Sequence, residues 1–214
     1  LTHVAGPRHS PTEHIMPIVF YSPASPYSTK VRMAAKWCDI GVESKAVDTN
    51  AEPAELLAAN PLGKIPTLLT DDGESIYDSR AITQYLNRTS GSALFPRNPQ
   101  KRTEAERLEA LSDGLCDCLL LIVYERRFRP EEMVYQPWID KQWSKVVRVL
   151  DLLNENPPKL TKKTNGGQIA LRTALGYLQL RFDGKWERGR SKLTRWAKRF
   201  DERFPELAEM LPRA

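Results

Sequence analysis

Histidine is almost missing from this sequence: its three copies are His3, His9 and His14, and none follows Met16. A Ser-His-Asp or Cys-His catalytic mechanism is therefore excluded from residues 16–214, and so is a metal site with histidine ligands. We expect no metal in this protein. Its chemistry should use hydroxyl, carboxylate, lysine and arginine groups and backbone dipoles.

The histidines lie in residues 1–15, a segment that contains proline but no apolar core of the kind found in secretory signals. We interpret this segment as a leader and expect it to be disordered.

Cysteine is scarce as well, with Cys38, Cys116 and Cys118 as the full set. An odd number without framework spacing argues against a disulfide scaffold and predicts a reducing compartment, here the cytoplasm. Cys116 and Cys118 lie two positions apart on a predicted helix and so point in different directions, which is typical of inert thiols.

Long apolar runs are absent too, and none approaches the ~20 residues of a membrane-spanning helix. We therefore predict a soluble protein that has no membrane partner.

The net charge of +5 permits affinity for anions, and the densest basic stretch, residues 185–200, interleaves two tryptophans with Lys and Arg. Some nucleic-acid surfaces have that composition. However, Leu193, Trp196, Ala197 and Phe200 have helical spacing, which favours a helix with an apolar face and a solvated basic face. We therefore predict no nucleic-acid partner.

Residues 16–89 alternate between strand and helix signals. The short apolar run at 18–21 predicts a buried strand, and the Asp-Asp-Gly at 71–73 is a hairpin turn signal. The resulting order of strand, helix, strand, helix, strand, strand, helix indicates a mixed sheet flanked by helices. Strands are predicted at 18–21, 41–48, the end of 60–70 and 74–78, and helices from about Thr29, over 51–59 and from about Ser79.

Residues 90–99 hold small polar residues, glycine and proline, and are predicted to be a linker. Only helical periodicity follows, so residues 100–214 are predicted to form an all-helical domain. One of its helices starts at Asn165, and Asn165 and Gln168 are spaced for the reciprocal hydrogen bonds of a capping box.

The tetrapeptide Ser25-Pro-Tyr-Ser28 stands where a strand-to-helix redox motif would carry cysteines. A helix N-terminus there would offer unpaired N–H groups and a partial positive charge of about half a unit to an anion. A simpler interpretation is that Ser25 or Ser28 caps the helix, which Ser does well.

Proline at position 66 stands at the entry to a predicted strand. A cis bond before Pro66 would expose the backbone of Ile65 to an extended ligand, and Lys64 could then reach an anion nearby. An ordinary trans proline at the start of an edge strand is the alternative, and about one X-Pro bond in twenty is cis.

The pair Asp78-Ser79 stands at the start of another predicted helix. The Asp78 carboxylate could bind an ammonium group, and the Ser79 hydroxyl and N–H could bind a carboxylate. The alternative is that Asp78 is only a helix cap.

Four stretches together resemble the glutathione transferase superfamily, and the resemblance runs from about Met16 to the C-terminus. They are Ser25-Pro26-Tyr27, NPLGKIPTL (60–68), DSRAI (78–82) and ALGYLQLRF (174–182). The resemblance implies an α/β thioredoxin-like N-terminal domain at 16–89 and an all-α C-terminal domain. It also implies a cis Pro66, a serine-type active site and similarity to the small bacterial branch of the family.

An enzyme that joins glutathione to a small hydrophobic electrophile is the function that this resemblance implies, with a homodimeric assembly and a role in detoxification. Glutathione would be a co-substrate, and no cofactor is expected. Ser25 would be the catalytic residue and donate a hydrogen bond to the sulfur, with Ser22 as the reserve candidate. Ser28 would face the helix turn as a cap.

The resemblance also implies the glutathione-binding residues. Asp78 and Ser79 would hold the γ-glutamyl end, Ile65 beside Pro66 would pair with the cysteinyl backbone, and Lys64 would meet the glycyl carboxylate. Members of the family usually have Glu where this chain has Asp78, and we expect the shorter side chain still to reach the ammonium. The electrophile pocket is predicted to include Tyr27, Cys116, Leu120 and Tyr124.

Two other functions are alternatives for a chain with this resemblance. A glutathione-dependent thiol reductase is disfavoured because Ser25 stands at the redox position and cannot form a mixed disulfide. A non-catalytic glutathione-binding or protein-interaction module of the same fold stays open, since binding and catalytic residues overlap.

Overall fold

The computed structural model describes residues 16–214. The predicted leader at 1–15 lies outside the described residues. Two units follow one another along the chain, an α/β unit and a helical unit.

The α/β unit contains a four-stranded sheet and three α-helices. Its strands are β1 (Ile18–Tyr21), β2 (Glu43–Ala46), β3 (Thr67–Leu69) and β4 (Ser75–Tyr77), and its helices are α1 (Pro26–Trp37), α2 (Ala54–Ala59) and α3 (Ser79–Thr89). A short 3₁₀ turn at Thr49–Ala51 precedes α2. This order confirms the α/β prediction for this part of the chain.

The sheet has the order β2-β1-β3-β4, with β1 parallel to β2 and antiparallel to β3. The last two strands form the predicted hairpin. Successive residues of β1 point to opposite faces of the sheet. Val19 belongs to the core that α1 and α3 cover, whereas Phe20 packs with Leu56 of α2 on the other face. Both faces of the central strand are thus buried, as its unbroken apolar sequence predicts.

The helical unit contains α4 (Pro99–Arg127), α5 (Gln136–Glu155), α6 (Gly166–Phe182), α7 (Ser191–Arg203) and α8 (Pro205–Ala208), with a 3₁₀ turn at Glu131–Met133. Helix α6 is its centre, because nearly every residue of α6 is buried. A Cβ atom added at Gly167 would lie 2.3 Å from the carbonyl oxygen of Ala105. Glycine is therefore required where α6 crosses α4 closely.

Two predictions about this unit have different outcomes. Leu193, Trp196, Ala197 and Phe200 are all buried on α7, which confirms the apolar face predicted within the basic stretch. The predicted capping box at the start of α6 is only half right. The N–H of Gln168 donates to Asn165 Oδ1 at 3.0 Å, but the Gln168 side chain turns away and donates to the carbonyl of Lys159.

No helix within the described part of the chain is both long enough and apolar enough to cross a membrane.

Candidate active site

A cleft of about 650 Å³ opens between the α/β unit and the helical unit. One wall is formed by the segments around residues 22–27, 60–66 and 77–80. The opposite wall is formed by α4 and α6. The three polar segments that the sequence singled out therefore meet at one place.

Ser25 is the N-cap of α1 and lines the cleft. Its Oγ accepts a hydrogen bond from the N–H of Ser28 at 3.2 Å, and Pro26 occupies the first helical turn, where proline is favoured. The helix starts here rather than near Thr29 for that reason. Accepting this bond uses a lone pair of Ser25 Oγ and leaves its O–H proton available to a ligand. The cap and the predicted donor are thus compatible functions of one hydroxyl.

The prediction that Ser28 caps α1 is wrong. Ser28 is fully buried, and its own Oγ has no hydrogen-bond partner within the described residues. Only its backbone N–H takes part in the cap. Ser22, the reserve candidate, lines the cleft, and its carbonyl accepts from the Ser25 N–H at 3.0 Å, which closes the turn before α1.

The Ile65-Pro66 bond is cis, as the family resemblance implies. Two hydrogen bonds hold the preceding carbonyl, because Lys64 O accepts from Asn60 Nδ2 at 2.9 Å and from Thr67 Oγ1 at 2.8 Å. Lys64, Ile65 and Pro66 all line the cleft. Within residues 16–214 the backbone of Ile65 makes no hydrogen bond of its own, so it is available to an extended ligand.

Asp78 and Ser79 lie beside this segment at the start of α3. Asp78 caps the helix, with Oδ1 accepting from the N–H of Arg80 at 2.8 Å, and it has a positive φ of 63°. A non-glycine residue rarely adopts such a φ, and residues of this kind cluster at binding sites. Ser79 is buried but lines the cleft, and its hydroxyl makes no hydrogen bond to any described residue. Asp78 therefore caps α3, and its second carboxylate oxygen makes no hydrogen bond within residues 16–214.

A buried ion cluster beneath the cleft was not foreseen. The Lys30 ammonium, with the residue 1% exposed, lies 2.9 and 2.8 Å from the two carboxylate oxygens of Asp113 and 3.2 Å from Glu109. Arg80 Nε bonds Asp113 at 2.9 Å, and the Thr83 hydroxyl donates to Glu109 at 2.9 Å. The cluster ties α1 and α3, which start at the cleft, to α4.

A lysine inside an apolar face is the sequence signal that could have revealed this cluster. Lys30 directly precedes Val31 and lies four positions before Ala34, so it belongs to the buried stripe of α1. A buried lysine requires partners. Those partners lie some eighty positions further along the chain, and the sequence does not identify them.

Tyr27, Leu120 and Tyr124, three of the residues predicted for the electrophile pocket, line the cleft. The Tyr27 hydroxyl donates to Asp117. Burial is the main cause that raises the pKa of Tyr27, with Cys116 and Asp117 adding to it, so this phenol stays protonated.

The placement predicted for Cys116 is corrected by the structure. Cys116 is buried in the core and does not form part of the cleft wall. Burial raises the pKa of the Cys116 thiol well above its usual range, and burial also raises the pKa of Cys38 and of Cys118. All three cysteines are free thiols, in line with the prediction of inert thiols.

Six cleft residues of the helical unit were missed by the sequence reasoning: Asp113, Asp117, Leu121, Arg127, Tyr177 and Arg181. The last two lie in the segment 174–182 that resembles the transferase family, but no role was assigned to them. Among residues 16–214 no group of three or more His, Cys, Asp or Glu side chains is arranged to hold a metal ion.

Comparisons with known proteins agree with this geometry. Residues 19–93 match the family model described as "Glutathione S-transferase, N-terminal domain". Among curated proteins, the chain is 36% identical over 126 residues to the uncharacterized GST-like protein YibF of Escherichia coli K12. That alignment covers 57% of this chain and 62% of YibF. The chain thus spans about three fifths of the length of this curated relative.

Solved structures match over more of the chain. A glutathione S-transferase from Methylobacillus flagellatus with glutathione bound is 34% identical, with a TM-score of 0.83, and the match covers 92% of this chain and 100% of that chain. A glutathione S-transferase from Methylobacterium radiotolerans in complex with glutathione sulfonate is 30% identical, with a TM-score of 0.85 and coverage of 94% and 96%.

Proposed function

This chain belongs to the glutathione transferase superfamily, and we propose that it transfers the thiolate of glutathione to a small hydrophobic electrophile. The observation that carries the proposal is the geometry of Ser25. Its hydroxyl stands at the N-terminus of α1, accepts from the N–H of Ser28 and keeps its own proton for a ligand in the cleft.

Glutathione has two carboxylates, one ammonium and one thiol, and the cleft offers a partner for each. The free oxygen of Asp78 binds the ammonium, and the hydroxyl and N–H of Ser79 bind the γ-glutamyl carboxylate. The backbone of Ile65, beside Pro66, pairs with the cysteinyl residue. Lys64, an exposed cation without a salt bridge in the described chain, meets the glycyl carboxylate.

The sulfur then lies at Ser25. A free thiol has a pKa of ~8.5 and is mostly protonated at neutral pH. Lowering it by ~2 units requires ~2.7 kcal/mol of preferential thiolate stabilisation. One hydroxyl donor to a charged acceptor supplies roughly 1.5–3 kcal/mol, and the N-terminus of α1 adds up to about 1 kcal/mol. These contributions suffice without histidine.

The electrophile binds against Tyr27, Leu120 and Tyr124, which line the cleft from both units. Tyr27 stays protonated and so does not act as a base, and because its hydroxyl proton is donated to Asp117 it is not the sulfur donor in this scheme.

We also propose the remaining features that the resemblance implies. The chain divides into a glutathione-binding domain at 16–89, a linker at 90–99 and a helical domain at 100–214. It acts in the cytoplasm as a homodimer, in detoxification, with glutathione as co-substrate and no cofactor.

Turnover with glutathione and a chromogenic chloronitrobenzene tests the proposal. The thiolate sulfur forms a bond to the ring carbon, the carbon–chlorine bond breaks, and chloride leaves with the bonding electron pair while the thiol proton passes to solvent. We expect an enzyme-dependent rate that is lost in Ser25→Ala. Glutathione binding in calorimetry without turnover of any electrophile class would instead support a non-catalytic binding module.

A further inference from the structure

The helical wall of the cleft carries two arginines that the proposed function leaves unused. Arg127 is the last residue of α4, Arg181 lies in the last turn of α6, and both line the cleft. Neither guanidinium makes a salt bridge within residues 16–214.

The other charged groups of this region already have partners. Asp113 is bonded to Lys30 and Arg80, and Asp117 accepts from the Tyr27 hydroxyl. The remaining charged residues of the cleft are Lys64 and Asp78. They belong to the opposite wall and bind glutathione in the proposed function. The two arginines therefore outnumber the single uncompensated carboxylate of this wall, that of Asp117, and leave a net positive charge on the electrophile side.

Tyr177 lines the cleft together with the two arginines. It lies four residues before Arg181 on α6, is only 4% exposed, lines the cleft, and its hydroxyl makes no hydrogen bond to any described residue. Burial raises the pKa of Tyr177, while the charges of Arg181 and Arg127 oppose that rise. Tyr177 and both arginines line the same cleft, and the Tyr177 hydroxyl stays protonated and can donate a hydrogen bond to a ligand there.

An apolar surface adjoins these donors. The Arg127 guanidinium lies 5.9 Å from the centre of the Tyr124 ring, and Leu120 and Leu121 continue the cleft wall along α4. An aromatic or aliphatic body can lie on this surface with a polar end at the arginines.

A basic residue in the last turn of a helix is favoured by the helix dipole, which by itself accounts for Arg127 and Arg181 being basic. The dipole does not explain why the ends of two different helices bring their basic side chains to one cleft. Guanidinium groups bind carboxylates and similar anions with paired N–H donors.

We propose that the electrophile carries an anionic group, such as a carboxylate, which binds Arg127, Arg181 and the Tyr177 hydroxyl while its apolar body packs on Tyr124. This inference rests on the proposed function and specifies its substrate class. The transfer itself is unchanged: sulfur bonds to the electrophilic carbon, and the leaving group departs with its electron pair.

A matched pair of electrophiles tests it, namely a chloronitrobenzoate and the methyl ester of the same compound. The two share the reacting carbon and the chloride leaving group and differ in one negative charge. Each kcat/KM is divided by the rate constant for uncatalysed attack by glutathione, because the ester activates the ring more than the carboxylate does. We expect the normalised value to be about tenfold higher for the carboxylate, the scale of one charged hydrogen bond.

Variants that each remove one positive charge test which residues cause the preference for the carboxylate. Arg127→Gln and Arg181→Gln should each lower the normalised kcat/KM for the carboxylate by about tenfold and leave the ester and the affinity for glutathione almost unchanged. Tyr177→Phe should act in the same direction with a smaller effect. Arg107→Gln, an exposed position of α4 outside the cleft, is the control for net charge.

Three outcomes are decisive. Equal normalised turnover of acid and ester, unaffected by both arginine variants, would refute the anionic substrate class and leave the proposed function intact. Loss of glutathione affinity in the arginine variants would assign these residues to glutathione and also refute it. If neither these compounds nor any other electrophile class is turned over, the transferase proposal fails. Calorimetry with the two preformed glutathione conjugates then tests the anion site, where equal affinities would overturn it and tighter binding of the carboxylate would support it.

Discussion

Lys30→Met tests whether the buried ion cluster fixes the two units of the cleft to one another. The substitution removes a cation that is almost fully buried and that bonds Asp113 at 2.8 and 2.9 Å and Glu109 at 3.2 Å. Breaking a buried pair by removing one partner typically costs about 3–5 kcal/mol, because a buried charge loses its compensation. The cost lies at the lower end here, since Arg80 still bonds Asp113.

We therefore expect Lys30→Met to lower the free energy of unfolding by about 3 kcal/mol. Lys36→Met is the matched control, because Lys36 lies on the same helix and pairs with Glu206 at 3.4 Å, with the two side chains 50% and 71% exposed. An exposed pair contributes about 0–1 kcal/mol. Urea denaturation of both variants measures the difference.

Glu109→Gln provides a milder test if Lys30→Met does not fold. It removes one of the two carboxylates while the amide can still accept from the Thr83 hydroxyl. We expect a loss of about 1–3 kcal/mol. Equal stabilities of Lys30→Met and Lys36→Met would refute the reasoning, since burial would then make no difference to the cost of removing the charge.

Three further predictions concern the cleft and the assembly. Asp78→Asn keeps the cap on the Arg80 N–H but removes the negative charge. Calorimetry should therefore show glutathione binding weakened by roughly 1.5–3 kcal/mol, while the free energy of unfolding changes by only a few tenths of a kcal/mol. Unchanged affinity would mean that the ammonium group of glutathione binds elsewhere. Ser28→Ala removes a buried hydroxyl that has no partner among residues 16–214, so urea denaturation should show unchanged or higher stability, and a loss above about 1 kcal/mol would contradict this. Light scattering at micromolar concentration should show a dimer, and a strict monomer would argue against the proposed homodimer.

The α/β unit was predictable because its signals are local. The apolar run of β1 and the turn residues before β4 identify the strands, and Asp78 caps α3 as its residue type suggests. The three polar segments of the cleft were also identified from the sequence, because each lies at a turn that is followed by the start of a helix or strand. Their meeting in space follows from the family resemblance rather than from any one pattern.

The helical wall was less predictable for a physical reason. Helix α4 has 29 residues and buries side chains around much of its circumference. The sequence therefore does not indicate which of its side chains line the cleft. Leu120 and Tyr124 face the cleft, whereas Cys116, one turn earlier, faces the core. Arg127 was missed because a basic residue at a helix end is usually a solvated charge.

The capping of α1 shows a second limit of prediction from sequence. Ser25 and Ser28 are three positions apart, and the sequence alone does not show which of the two hydroxyls caps the helix. In the structure Ser25 caps the helix because Pro26 fixes the helix start, and the Ser28 hydroxyl is buried with no partner in the described part of the chain. Removal of Ser25 by alanine should therefore also cost about 1 kcal/mol of stability, whereas glycine costs only a few tenths.

The titration of bound glutathione tests the central claim, that the Ser25 hydroxyl activates the sulfur. Thiolate absorbance is followed against pH in the wild type and in the Ser25→Gly and Ser28→Ala variants, with glutathione affinity measured alongside. We predict that Ser25→Gly raises the pKa of the bound thiol by about 1–2 units with nearly unchanged affinity, and that Ser28→Ala leaves it unchanged. A titration that shifts in Ser28→Ala but not in Ser25→Gly would contradict the account.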